Sequence, residues 1–357
     1  MKNLKTYDEE KAWSRWILAL AVVWPCMAVA RDRVREKENF DFDWKFILNA
    51  DDRANAGMQV SEAGWQDVQL PHDWSISQDF DPKLSGSNGH LPGGIGWYRK
   101  TFRVDKEDKG RRIAVLFDGI YSRSDVYVNG HHLGFRPYGF CYQEYNLTPY
   151  LIYGAENVLA VRVNNPLEHD SVARWYTGAG IYRHAWLVKT AKVHVASYGT
   201  YVTTPVVTAE RAEVRVRTSV ANESKRIKTL SVRQQITDGE GRTVVQSGKQ
   251  ALQVAAGQTA DTEHTLEIPR PQLWNTEHPY LYTLHTTVYD GRKLVDTYET
   301  VFGVRTCEFT FRPRFPAQRE ALEVERFLFA PRRCLFGDGF AFAFHGTQIG
   351  DFVRSTE

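Results

Sequence analysis

Two runs decide the fold: Ile113-Ala114-Val115-Leu116-Phe117-Asp118-Gly119 and, a few residues on, Asp125-Val126-Tyr127-Val128-Asn129-Gly130-His131. The first is continuously apolar and stops at Asp-Gly, as a strand covered on both faces would. The second ends in Asn-Gly, the dipeptide whose positive φ angles suit a type I′ hairpin turn. Asn157 to Val163 and Ile181 to Val188 read as two further strands. From Phe40 onward, short runs rich in Val, Ile, Tyr, Phe and Trp alternate with Gly, Pro, Asn and Asp clusters. Helical periodicity is nearly absent before residue 311. So many short strands in about 150 residues imply a sandwich or jelly roll.

The pattern changes near Lys192. Val214, Val216, Thr218 and Val220 then alternate with Glu213, Arg215, Arg217 and Ser219, the signature of a half-exposed antiparallel strand. Similar strands are expected at Leu230 to Thr237, Thr262 to Ile268, Tyr280 to Tyr289 and Leu294 to Val304. Their spacing is that of an immunoglobulin-like sandwich. The expected fold is all-β, a jelly-roll (galactose-binding-like) β-sandwich over residues 36–190 followed by an immunoglobulin-like β-sandwich over 191–306.

Composition narrows the function. The chain has 357 residues and a formal net charge of +2, with both signs well mixed, so no basic field for nucleic acid is expected. Cys26, Cys141, Cys307 and Cys334 are too few and scattered for a metal-binding spacing or a disulfide framework. No cofactor and no metal are expected. His131 and His132 lie at a hairpin tip without Cys or carboxylate partners at ligand spacing, and are read as solvated.

The N-terminus carries an apolar run, Trp16 to Ala30, preceded by Lys11 and Arg15 and ending in Ala28-Val29-Ala30. This is the pattern of a signal peptide over residues 1–30 cleaved after Ala30, so export to a periplasmic or secreted location is expected. The run is too short for a stable membrane span.

Several strings occur in an order that resembles the glycoside hydrolases of family 2, β-galactosidase type, over roughly Phe40 to Thr306. They are Leu70-Pro71-His72-Asp73-Trp74, Leu91-Pro92-Gly93-Gly94-Ile95-Gly96-Trp97-Tyr98-Arg99, Phe117-Asp118-Gly119-Ile120-Tyr121-Ser122, and Arg174-Trp175-Tyr176-Thr177-Gly178-Ala179-Gly180-Ile181-Tyr182-Arg183. Pro271-Gln272-Leu273-Trp274 and Phe302-Gly303-Val304-Arg305-Thr306 look like the end of the second domain and the entry to a barrel. Physically most of these strings read as structure. Asp73 brackets a turn, and Trp74 is a core residue.

The resemblance implies that a loop near Arg174, Trp175 and Tyr176 reaches the active site, where an Arg with two aromatics can bind hydroxyls and stack on a sugar. Trp97 is a weaker candidate for the same contact. The implied partner is a β-linked galactoside or related glycan, with a homo-oligomer possible in the full-length enzyme. A retaining glycosidase needs two carboxyl groups about 5 to 5.5 Å apart, and the resemblance places both in a (β/α)₈ barrel beginning after Thr306. Such a barrel takes about 250 residues, so residues 307–357 cannot hold it and no catalytic residue is assigned. Glu168 and Asp170, flanking His169, are read as solvated charges rather than a substitute pair. Two function classes follow: an inactive N-terminal portion of a β-galactosidase-like enzyme, or a non-catalytic carbohydrate-binding module. Within the family, β-glucuronidase and β-mannosidase readings stay open.

Residues 311–357 differ abruptly from the rest, holding nine of the chain's 19 Phe and no Tyr, Trp, Lys or Asn. Permitted codons for Phe311 to Arg332, read one base further along, give FDPDFLLNGKRLKLKGFCLHHD, which looks like a first barrel strand of the resembled family. The expectation is a tail in the wrong reading frame.

Overall fold

The computed structural model describes residues 34–48, 51–86, 89–166 and 175–306. The apolar run with its cleavage site, Glu168 and Asp170, Arg174, and residues 307–357 with their expected frame change lie outside the described residues.

The first sandwich is built from β1 (Glu36–Asn39), β2 (Trp44–Leu48), β3 (Gln66–Val68), β4 (Gly94–Arg103), β5 (Arg112–Phe117), β6 (Ser124–Val128), β7 (His131–Arg136), β8 (Gln143–Asn146), β9 (Glu156–Asn165) and β10 (Ala185–Thr190). One sheet runs β3-β2-β4-β9-β6-β7 and the other β1-β10-β5-β8, with every pairing antiparallel. β5 lies between β10 and β8 and is buried along its whole length, which is why its sequence does not alternate. The hairpin from β6 to β7 pairs Val128 with His131 across Asn129 and Gly130, whose φ angles are 51° and 83°. Both central residues are left-handed, as the type I′ turn requires.

Between the sheets the core is aromatic. Trp44, Phe46, Trp74, Tyr98 and Phe117 pack with the aliphatic residues of β5, β6 and β9. β4 alternates around this core. Tyr98 points inward, whereas Trp97 and Arg99 point to the outer face and are covered by the segment from Arg53 to Trp65. There the Arg99 guanidinium donates to Glu62 and to the carbonyls of Asn55 and Gly57.

The strand expected at Ile181 to Val188 begins later, at Ala185. The Ile181 carbonyl accepts from the His72 N–H and the His184 carbonyl from the Asp118 N–H, so these residues make loop bonds and not a ladder.

The second sandwich comprises β11 (Val193–Val207), β12 (Arg211–Asn222), β13 (Lys228–Thr237), β14 (Thr243–Gln246), β15 (Gln250–Val254), β16 (Gln258–Pro269), β17 (Tyr282–Asp290) and β18 (Lys293–Phe302). Its sheets are β11-β12-β16 and β14-β13-β17-β18, with β15 beside β14 on the same edge of β13. In β12 Val214, Val216, Thr218 and Val220 are buried and Arg215 and Arg217 are not, as strict alternation requires. This is the immunoglobulin-like sandwich.

Polar side chains join the two sandwiches. Arg35 donates to both oxygens of Asp296 at 3.1 and 2.7 Å and to the Val195 carbonyl at 2.6 Å, while the Val195 N–H donates to Asp296 at 2.7 Å. Arg112 bridges Glu144 and Glu223. Beside them His194, on β11, is buried and its pKa is pulled down to about 3, first by burial and then by the positive Arg112 and Arg35.

The folded state therefore keeps His194 neutral where the unfolded chain, titrating near 6.5, takes up a proton. This group should leave stability unaffected well above pH 6.5 and reduce it progressively as pH drops through 6.5 toward 3. Urea unfolding of the wild type and of His194→Gln at pH 7 and pH 5 checks the sign. The variant should lose less stability between the two pH values.

Candidate functional site

The strings Leu70 to Trp74 and Trp175 to Ile181, about a hundred residues apart in sequence, are bonded to each other in the jelly roll. Asp73 is the link between them. Its Oδ1 accepts from the Ser75 N–H at 3.0 Å, the local turn read from the sequence, and also from the Ala179 N–H at 2.9 Å. Its Oδ2 accepts from the Tyr176 hydroxyl at 2.6 Å.

Backbone bonds hold the same segment from two more sides. The His72 and Trp74 N–H groups donate to the carbonyls of Ile181 and Ala179, and Gly180 exchanges both of its backbone bonds with Tyr121. Asn165 donates to the Gly178 carbonyl at 3.2 Å. Gly180 is required here, because its φ is 118° and a Cβ would lie 2.3 Å from the Tyr98 hydroxyl and 2.7 Å from the His72 carbonyl.

On this anchored base Trp175 is 62% exposed and Tyr176 38% exposed. The Tyr176 pKa is raised, chiefly by desolvation and then by the hydrogen bond to the Asp73 carboxylate, so its proton stays on the phenol as the bond to Asp73. Beneath the loop, the Tyr98 hydroxyl meets His72 Nδ1 at 2.8 Å, and burial lowers the His72 pKa and raises that of Tyr98. A free indole face next to a fixed phenol oxygen can stack on the apolar face of a sugar and bond one hydroxyl.

The sequence candidates separate in space. Trp175 and Tyr176 are together and accessible, and Arg174 lies outside the described residues. Trp97 is fully buried, packed on Tyr127 with ring centroids 5.8 Å apart, and cannot touch a glycan. It faces outward on β4, but the segment around Ala56 covers it. Trp74, read as core, is indeed buried against Phe46, with ring centroids 5.5 Å apart. His132 pairs with Asp125 at 2.9 Å and His131 stacks on Tyr150. Among the described residues no group of three or more His, Cys, Asp or Glu is placed to hold a metal ion, and no helix is long and apolar enough to cross a membrane. The anchoring role of Asp73 toward Tyr176 was missed by sequence reasoning, since a local string cannot show a partner 103 residues away.

The chain thus combines a jelly roll that carries an exposed aromatic loop with an immunoglobulin-like sandwich. Residues 39–191 match the model of the glycosyl hydrolases family 2 sugar binding domain, and residues 193–305 match a second model of glycosyl hydrolases family 2. The chain belongs to glycosyl hydrolase family 2. It is 42% identical over 289 residues to the beta-galactosidase BoGH2A of Bacteroides ovatus, covering 79% of this chain and 33% of that protein. It is 31% identical to a beta-glucuronidase of Formosa agariphila, covering 90% of this chain and 36% of that protein. Among solved structures, a family 2 member from Bacteroides cellulosilyticus superposes with a TM-score of 0.69 at 38% identity, over 76% of this chain and 37% of that one. The chain thus spans about a third of the length of the curated relatives it matches.

Proposed function

We propose that this chain is the substrate-facing N-terminal portion of a retaining β-glycosidase acting on β-galactosides, and that it presents Trp175 and Tyr176 to the sugar. The observation that carries the reading is the Tyr176–Asp73 bond, which with the backbone bonds of Ala179 and Gly180 anchors Tyr176 beside the exposed Trp175. Sugar contacts need aromatic groups held in place, and Tyr176 is held by Asp73. The identity to a beta-galactosidase of Bacteroides ovatus supports galactosides over glucuronides, the second reading.

The chemistry requires an acid and a nucleophile, neither of which is among the residues assigned to this site, and binding alone does not cleave a glycosidic bond. Purified 357-residue protein is therefore expected to show no turnover of an aryl β-galactoside above buffer. The informative comparison resequences the locus and expresses the adjacent frame beyond codon 310. That product should hydrolyse the galactoside, and Trp175→Ala within it should lower kcat/KM. Turnover by the highly purified 357-residue chain would overturn the reading, as would an adjacent frame that soon meets a stop codon.

A further inference from the structure

The phenol of Tyr176 has one proton and two lone pairs. The proton is committed, because the hydroxyl donates to Asp73 Oδ2 at 2.6 Å, inside the short range of about 2.5 to 2.7 Å for a hydroxyl on a carboxylate. Ser75 also lies beside the phenol, but its Oγ donates to the Pro92 carbonyl at 2.7 Å, and a neutral hydroxyl is a weaker acceptor than a carboxylate. The raised Tyr176 pKa keeps the proton in place at neutral pH. Tyr176 therefore shows a ligand lone pairs alone.

The carboxylate behind it is held in one orientation. Oδ1 accepts from the Ser75 N–H at 3.0 Å and the Ala179 N–H at 2.9 Å, which leaves Oδ2 for Tyr176. Each described partner of Asp73 is an uncharged donor. His72 beside it is kept neutral at pH 7 by burial, which lowers its pKa. An acceptor-only oxygen backed by a carboxylate takes a ligand hydroxyl as its donor. A ligand carboxylate brings acceptors and a like charge, with no proton to place between the two oxygens.

We propose that Asp73 is a positioning residue for specificity: by holding the Tyr176 proton, it makes this contact select a neutral sugar hydroxyl and reject a uronate carboxylate. The inference rests on the reading that the Trp175 and Tyr176 loop meets the sugar, and assigns the polarity of that contact. Asp73→Asn is the inverting variant. Only its Oδ1 can accept from the Ser75 and Ala179 N–H groups, which turns Nδ2 toward Tyr176. The phenol oxygen then accepts from the amide, and its proton is free to point at the ligand.

The test is NMR titration of the 357-residue chain at pH 7 with methyl β-D-galactopyranoside and with methyl β-D-galactopyranosiduronate, which differ at the C6 group. Wild type should prefer the galactoside about tenfold or more, and Asp73→Asn should erase or reverse that preference. Tyr176→Phe should weaken galactoside binding, and in that background Asp73→Asn should move the preference much less, because it acts through the phenol. Matched circular dichroism melts establish that the variants are folded. A merely structural role for Asp73 would weaken both sugars alike and leave their ratio unchanged, which overturns the proposal. A wild type that prefers the uronate overturns it too, as does an Asp73→Asn effect of equal size with and without the Tyr176 hydroxyl. Loss of galactoside binding in Trp175→Ala with an unaltered ratio in Asp73→Asn ends this inference alone. Galactoside binding indifferent to both Trp175→Ala and Tyr176→Phe ends the reading of the loop, and absence of binding by either sugar at high millimolar concentration ends both.

Discussion

Trp44→Ala should destabilise the chain by about 3 to 5 kcal/mol, the range for truncating a large buried aromatic. Trp44 is fully buried at the centre of the jelly-roll core, in edge contact with Phe40 and Tyr98 and tilted against Phe117, with centroids 6.3 to 6.4 Å away. Its indole N–H also donates to the Phe40 carbonyl at 2.7 Å, so the variant leaves a cavity and a buried acceptor without its donor. An effect of this size is a large part of the stability of an ordinary domain. Urea unfolding followed by Trp fluorescence should show the midpoint for the first sandwich moving sharply down. Trp44→Phe, which refills most of the volume, should recover much of the loss. A variant indistinguishable from wild type would mean that the core does not depend on this ring.

The second large effect is expected at the junction of the sandwiches. Asp296 is completely buried and accepts from Arg35 twice and from the Val195 N–H, whereas Arg35 keeps 14% of its side-chain surface. Asp296→Ala therefore strands a mostly buried guanidinium and a buried N–H, and should cost about 3 kcal/mol, the low end for breaking a buried pair because Arg35 retains some water. Arg35→Ala should cost at least as much, since it leaves the completely buried Asp296 carboxylate with only the Val195 N–H. The double variant should cost clearly less than the sum, because each single change already removes the shared interaction. Strict additivity of the two would show that the pair does not couple the sandwiches.

How far the site could be read from the sequence differs residue by residue. Asp73 next to Trp74 reads as a turn acid beside a core ring, and both roles are present. That its second oxygen holds Tyr176 is absent from any local string, because the bond spans 103 positions. Trp97 shows the opposite failure. An aromatic in a glycine-rich string suits a ligand contact as well as a core, and only its cover by the segment around Ala56 decides between them.

The chain's own sequence determines the all-β class, because period-two alternation in β12 and the continuous apolar run of β5 follow directly from which faces are buried. It determines the hairpin at Asn129-Gly130 as well, since only residues tolerant of positive φ fit that turn. What the tertiary structure alone decided is which strands are neighbours and which distant groups meet. β1, with the sequence Glu36-Lys37-Glu38-Asn39, carries no strand signal and is a strand because β10 offers it an edge. The anchoring of Tyr176 and the Arg35–Asp296 junction likewise come from long-range pairing. Local propensity acts over a few residues, whereas these contacts are fixed by the packing of whole sheets.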